Sequence, residues 1–162
     1  MSDIIYKELS YELTGLCFQV HRELGRFCRE RQYADRLEEL LKEANINYQR
    51  EYEIKEYKAD SPKGNRVDFF VDGKVILDTK AKPFLLKEDY IQMQRYLVGA
   101  QSKLGLLVNF RNTYLKPARV LNSRHSHLNS QDSHRAQGFS LVELLVYLAV
   151  FATALVLIVG TA

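Results

Sequence analysis

The sequence predicts an α/β domain, α+β in its chain order, in which a mixed central sheet is flanked by helices. Three observations carry that expectation. Two amphipathic helical stripes open the chain, three strand-like runs with strong turn signals follow, and a further helical stripe leads into one last apolar strand. Antiparallel strands followed by a crossover helix and another strand give one mixed sheet with helices packed on it.

The elements are justified in order. Leu9, Leu13, Leu16, Val20 and Leu24 step by three and four, which places them on one face of a first helix. Beyond Gly25, a second stripe at Tyr33, Leu37, Leu40, Leu41 and Ala44, with Glu38, Glu39 and Glu43 between, predicts a helix ending near residues 45–47. "YEIKEYKA" alternates up to the turn cluster Asp60-Ser61-Pro62-Lys63-Gly64 and predicts a strand. "RVDFFV" and "KVILDTKA" flank Asp72-Gly73, a strong hairpin signal. Tyr90, Met93, Tyr96, Leu97 and Ala100 form a third helical stripe over 87–100, and "KLGLLVNF" reads as the final strand.

Length and charge bound the rest. The 162 residues, less an apolar tail, match one domain with one core, expected over 1–121. The net charge of +3 permits contact with phosphates, as it does in many soluble domains that bind none. Cys17 and Cys28 lack C-x-x-C spacing, which argues against a disulfide framework or a zinc knuckle and fits a reducing compartment. "MSDIIYKELS" has neither the basic stretch nor the apolar core of a secretory leader, so the domain is expected to stay in the cytoplasm.

The tail is of another kind. Residues 122–137 repeat the pattern N-S-x-x-S-H and are expected to be a disordered polar linker, whose His125, His127 and His134 follow from the repetition rather than from a metal site. From Phe139 to Ala162 the one charged residue is Glu143, and such a run is long enough to cross a hydrocarbon layer of roughly 30 Å. A transmembrane helix is therefore expected within 138–162. Lys116, Arg119, Arg124 and Arg135 ahead of it favour a cytoplasmic side for the domain, tethered to the inner membrane.

The chemistry concentrates in "VDFFVDGKVILDTKA". Asp78 and Lys80 alternate along one strand and project on the same side, while Asp68 lies on the partner strand. Two carboxylates joined by a hairpin can hold Mg²⁺ (or Mn²⁺), which keeps several waters and activates one of them toward a phosphate. Lys80 would orient that water or offset charge on the phosphate. Parity sets a condition: a strict two-residue turn pairs Asp68 with Leu77 and sends Asp68 and Asp78 to opposite faces. A three-residue loop or one bulge is therefore predicted at Asp72-Gly73. Lone carboxylates among so many apolar neighbours are costly unless paired, hydrogen-bonded or metal-bound. Arg22, Arg26, Arg29, Arg31 and Arg36 crowd the junction of the first two helices, either to grip phosphates or as solvated charge paired with Glu23, Asp35 and Glu38. No aromatic ladder is evident along the sequence.

Taken with the order of elements, "FQVHRELG", Glu30 and Tyr33 spaced as E-x-x-Y, D…D-x-K in the hairpin, "QxxxYL" at Gln92, Tyr96 and Leu97, and "KLGLLVNF" resemble the PD-(D/E)XK nuclease superfamily, more narrowly the GxxExxY proteins, over about 9–110. The resemblance implies a central mixed sheet flanked by helices, a divalent metal, and hydrolysis of nucleic-acid phosphodiester bonds. It also implies roles: Glu30 as the helical acid, Asp68 and Asp78 as metal ligands with Glu30, Lys80 as the catalytic lysine, and Gln92 as a helper that positions water, lysine or substrate. Two departures stand out. Phe27 occupies the family's glycine position, which bears on the loop that places Glu30, and Asp78 stands for the usual Glu with an arm one methylene shorter. A shift near 1 Å can cost roughly a hundredfold in rate, so a catalytically inactive nucleic-acid or protein-binding module of the same fold is the alternative.

"GFSLVELLVYLAV" is similar to the cleavage and methylation signal of type IV prepilins. That resemblance implies a prepilin peptidase as partner, cleavage after Gly138, Phe139 as the new and methylated N-terminus, and Glu143 pairing with a neighbouring subunit. Cleavage there would release the domain as a soluble cytoplasmic protein. A carboxylate within a membrane-embedded stretch needs such a partner.

Overall fold

The computed structural model describes residues 4–54 and 66–123. Eight elements run in the order α1 (Lys7–Leu24), α2 (Glu30–Glu43), β1 (Tyr48–Glu53), β2 (Arg66–Val71), β3 (Val75–Lys80), α3 (Lys87–Gly99), β4 (Leu104–Asn109) and β5 (Ala118–Leu121). The strands form one sheet in the order β1-β2-β3-β4-β5. All neighbours are antiparallel except β3 and β4, which are parallel and joined by the crossover through α3.

Side-chain alternation divides the core between the two sheet faces. Val75 and Leu77 of β3 and Leu104, Leu106 and Val108 of β4 pack with Leu13, Cys17 and Val20 of α1 and Tyr33, Leu37 and Leu41 of α2. Ile76 and Leu107 point the other way, against Met93, Tyr96 and Leu97 of α3. Each such side chain removed fully from water contributes about 1.5–3 kcal/mol. Gly105 lies on the α3 side, where a Cβ would come within 2.4 Å of Met93 Sδ, so its lack of a side chain sets how closely α3 approaches the sheet. Both cysteines are free, and burial pushes the Cys17 thiol up to about 12, which keeps it a neutral core group.

β1 and β2 share an unusual joint. Arg50 pairs with Phe69 and Tyr52 with Val67, while Glu51 and Asp68 between them are skipped. Glu51 has φ 51°, a left-handed backbone that side-chain-bearing residues seldom adopt. The facing of both strands reverses there. Tyr48 and Phe69 join the α1/α2 side, whereas Tyr52 and Val67 join the α3 side.

Three expectations change. β1 begins at Tyr48 rather than Tyr52, the end of the expected "YEIKEYKA" strand and its turn cluster lying outside the described residues. α2 ends at Glu43, before the expected 45–47, because Asn45 turns into a positive φ of 54°. β5 adds a third antiparallel pairing to the sheet that periodicity did not reveal. The expected linker at 122–137 begins with two described residues, of which Asn122 is buried and bonded to the carbonyls of Leu97 and Ser102. Its remainder and the expected transmembrane helix at 138–162 lie outside the described residues, among which no helix is long and apolar enough to cross a membrane.

Candidate active site

The hairpin carries the offset that parity requires. Val71 pairs with Val75, leaving Asp72, Gly73 and Lys74 as a three-residue loop. Asp72 (φ 51°) and Gly73 (φ 63°) both take positive φ, and the Lys74 N–H donates to the Val71 carbonyl at 2.9 Å. Phe69 then faces Leu77, and the same register carried one step further sets Asp68 against Asp78.

β3 and β4 end side by side, Lys80 opposite Asn109, and the site is built around those ends. Lys80 Nζ lies 2.5 Å from Asp78 Oδ2, and Asp78 is buried. Glu30 opens α2 and reaches the same end of the sheet, where its Oε2 accepts the Ala81 N–H at 3.2 Å. Asp68 turns aside: its Oδ2 accepts both the Thr79 N–H at 2.7 Å and the Thr79 hydroxyl at 2.5 Å. That grip joins β2 to β3 just past their last paired residues, Phe69 and Leu77. A cleft of about 300 Å³ beside it is lined by Glu30, Arg31, Arg50, Glu51, Asp68 and Thr79.

Asp78, Glu30 and Asp68 all act on the Lys80 ammonium, and Lys82 also acts on Glu30. Burial, together with the negative charges of Asp68 and Glu30, outweighs Lys80 and pushes the Asp78 carboxyl up to about 7. Glu30 is also raised, by loss of solvent around its carboxylate and by Asp68, although Lys80 and the Ala81 N–H oppose the shift. Burial disfavours the Lys80 ammonium, but Asp78, Glu30 and Asp68 outweigh it and hold its pKa above the usual lysine value. The cluster is therefore short of positive charge, which is what a divalent cation supplies. The donor set suits Mg²⁺ or Mn²⁺, since such ions need only one or two carboxylates beside water. As the side chains stand, however, no three His, Cys, Asp or Glu groups among the described residues gather closely enough to hold a metal ion.

Gln92 enters through a neighbour. Its Nε2 donates to the Tyr96 hydroxyl at 2.7 Å, and the Tyr96 phenol is raised by burial and by the Asp78 carboxylate. Tyr96 thus joins Gln92 to the acidic cluster, a link hidden in the sequence because Tyr96 also fits the apolar stripe of α3. Asn109 is the second residue that sequence reasoning missed. It is buried, donates to the Lys82 carbonyl at 2.7 Å and accepts the Lys82 N–H at 3.2 Å and the Arg111 N–H at 3.3 Å, pinning the two segments that leave the sheet. Lys82 in turn bonds Asp89 at 2.5 Å. Burial disfavours the Asp89 carboxylate, but Lys82 and the Leu86 N–H prevail and hold it below the usual range.

The loop ahead of Glu30 does not need the glycine. Phe27 points outward, 72% exposed, and its φ is not positive. The loop is held from inside instead: Tyr33 stacks on Phe110 at 4.5 Å, its hydroxyl donates to the Gly25 carbonyl at 2.9 Å, and it accepts the Cys28 N–H at 3.1 Å. Of the expected arginine cluster, Arg36 is engaged by Glu23, Glu39 and Glu43, and Arg31 lies 3.9 Å from Asp35. Arg22, Arg26 and Arg29 are exposed.

Family models match two stretches of the chain. The family model of the prokaryotic N-terminal methylation motif matches residues 133–159, a range that holds Gly138, Phe139 and Glu143, all outside the described residues. No curated protein and no solved structure matches the chain. The model of the PD-(D/E)XK nuclease superfamily matches residues 7–120, from the start of α1 into β5. With most of its length so matched, the chain belongs to the PD-(D/E)XK nuclease superfamily.

Proposed function

We propose that the domain is a divalent-metal-dependent nuclease that hydrolyses phosphodiester bonds in nucleic acid. The observation that carries this reading is the excess negative charge around Lys80, with Asp78 and Glu30 both raised in pKa by burial and by neighbouring carboxylates. Asp78 and Asp68, with Glu30, are the residues that would hold Mg²⁺ or Mn²⁺. Bound there, the ion would lower the pKa of a water and offset charge on the phosphate. Lys80, kept as an ammonium, suits stabilisation of the charge that builds on the phosphate oxygens better than it suits proton abstraction. Gln92 orients the Tyr96 hydroxyl beside this group.

The test is cleavage by the purified full chain of labelled single- and double-stranded DNA and RNA with Mg²⁺, Mn²⁺ or EDTA. Metal-dependent cleavage lost in Asp78→Ala and Lys80→Ala supports the reading. Binding without cleavage under every metal condition supports the second reading, an inactive binding module. The engagement of Asp68 by Thr79, rather than by a position beside Asp78, favours that second reading.

Residues 138–162 complete the proposal as a prepilin-type membrane segment that tethers the domain, over 1–121, to the cytoplasmic face of a bacterial inner membrane through the linker at 122–137. Co-expression with a prepilin peptidase should yield a product cut after Gly138, read by intact mass. An uncut chain would remove the processing part of the proposal and leave the nuclease part standing.

A further inference from the structure

Three exposed aromatic side chains stand on segments gathered at one end of the sheet. Phe27 lies in the loop entering α2, Phe84 follows β3, and Tyr114 follows β4, with exposures of 72%, 77% and 80%. The Ala81–Glu30 hydrogen bond ties the first of these segments to the second, and His21 Nε2 ties α1 to the third by donating to the Asn112 carbonyl at 2.9 Å. Widely separated in sequence, the three show no ladder there, and only the fold collects them.

Phe27 is the most developed of the three. The Arg26 guanidinium lies 4.9 Å from its ring centroid and that of Arg111 5.3 Å, and Arg26 is fixed further by donating to the Thr113 hydroxyl at 2.5 Å. The two cation–π contacts hold the Phe27 ring at the surface and set positive charge beside it, a combination of flat apolar face and cations that suits a base with its flanking phosphates. Bases of an unpaired strand are flat, and their phosphates are the anions. A duplex offers a stacking ring only base edges and backbone, because its base faces are already covered. Glu30 lies three residues beyond Phe27, so a base held there would sit next to the acidic cluster.

We propose that Phe27, Arg26 and Arg111 form a stacking platform for an unpaired nucleotide, and that the substrate is a single strand or a duplex with an unpaired end. The proposal rests on the nuclease reading for its substrate class. Phe27 stacks the base, Arg111 and Arg26 meet the flanking phosphates, and Phe84 and Tyr114 continue the path for neighbouring bases.

The experiment uses the full 162-residue chain in detergent, with EDTA present so that nothing is cleaved. The probe is a twelve-nucleotide single strand carrying 2-aminopurine, as DNA and as RNA, against a blunt duplex of the same sequence. Expected are quenching of the probe on binding, preference for the single strand over the duplex, and a loss of about tenfold in affinity with loss of quenching in Phe27→Ala. Phe27→Trp should keep both, and Arg111→Gln should weaken binding and flatten its salt dependence. Phe27→Ala binding and quenching like the native chain, or a preference for the blunt duplex, would overturn the platform. If the native chain cleaves with metal while Phe27→Ala is unchanged in binding, only the platform falls. If it neither binds nor cleaves any nucleic acid, the nuclease reading falls and takes the platform with it.

Discussion

Phe69 of β2 lies directly opposite Leu77 of β3, and that single pairing fixes which side chains of the hairpin meet. A register one residue shorter would place Leu77 against Asp68 and drive a carboxylate toward the α1/α2 core. The left-handed turn at Asp72-Gly73 makes the longer loop affordable. Gly73→Ala should destabilise the fold by about 1 kcal/mol through its positive φ alone, since nothing crowds the position. Urea denaturation checks this.

Asp78 gives a pH signature. Its folded pKa of about 7 lies above the ordinary carboxylate value of 3.8, so the folded state holds a proton that the unfolded state has lost between those limits. The contribution of Asp78 is therefore least unfavourable below about pH 4 and becomes more unfavourable up to about pH 7, where it levels off. Asp78→Asn should raise the metal-free Tm at pH 8 and do so less at pH 5, in thermal melts with EDTA. An equal change at both pH values would contradict the assignment.

Lys80→Ala should lower cleavage by roughly 10²–10³-fold, in line with removal of one charge-stabilising donor. It should also push Asp78 further up, because the remaining neighbours are carboxylates. Titration of a ¹³C-labelled Asp78 carboxyl by NMR reads that shift independently of turnover.

Gly105→Ala should cost about 1–3 kcal/mol, because the new methyl meets Met93 Sδ and Cγ in a filled core. Met93→Ala opens a cavity of its own, but the double variant should be more stable than the two single losses added together. A double-mutant cycle on denaturation midpoints measures the coupling.

The helices were legible because their apolar stripes are long and regular, as at Leu13, Val20, Leu37 and Leu41. The hairpin offset was legible because parity required a three-residue loop or a bulge to bring Asp68 and Asp78 together, and the loop is what forms. β1 was less so: burial alternates along the strand without a break, but charged Arg50 interrupts the apolar series of Tyr48, Tyr52 and Ile54, and a period-two search finds only the later half. β5 has four residues after a proline, too few for a pattern. Within the site, spacing in the sequence placed Asp78 and Lys80 on one side of a strand and the family resemblance added Glu30, but neither could show that Thr79 takes the Asp68 carboxylate. Nor could it give Asn109 a role, since an asparagine at a strand end is ordinary until the two segments it joins are seen together.

Tyr33 holds the entry loop of α2 from the core side, and Phe27 touches that loop only from the solvent side. Anchoring and contact are thus assigned to different residues of one short loop. The side chain at position 27 can therefore vary without disturbing the Tyr33 contacts that hold the loop leading to Glu30, so the outward face of this loop and the backbone that carries the carboxylate are independent of one another.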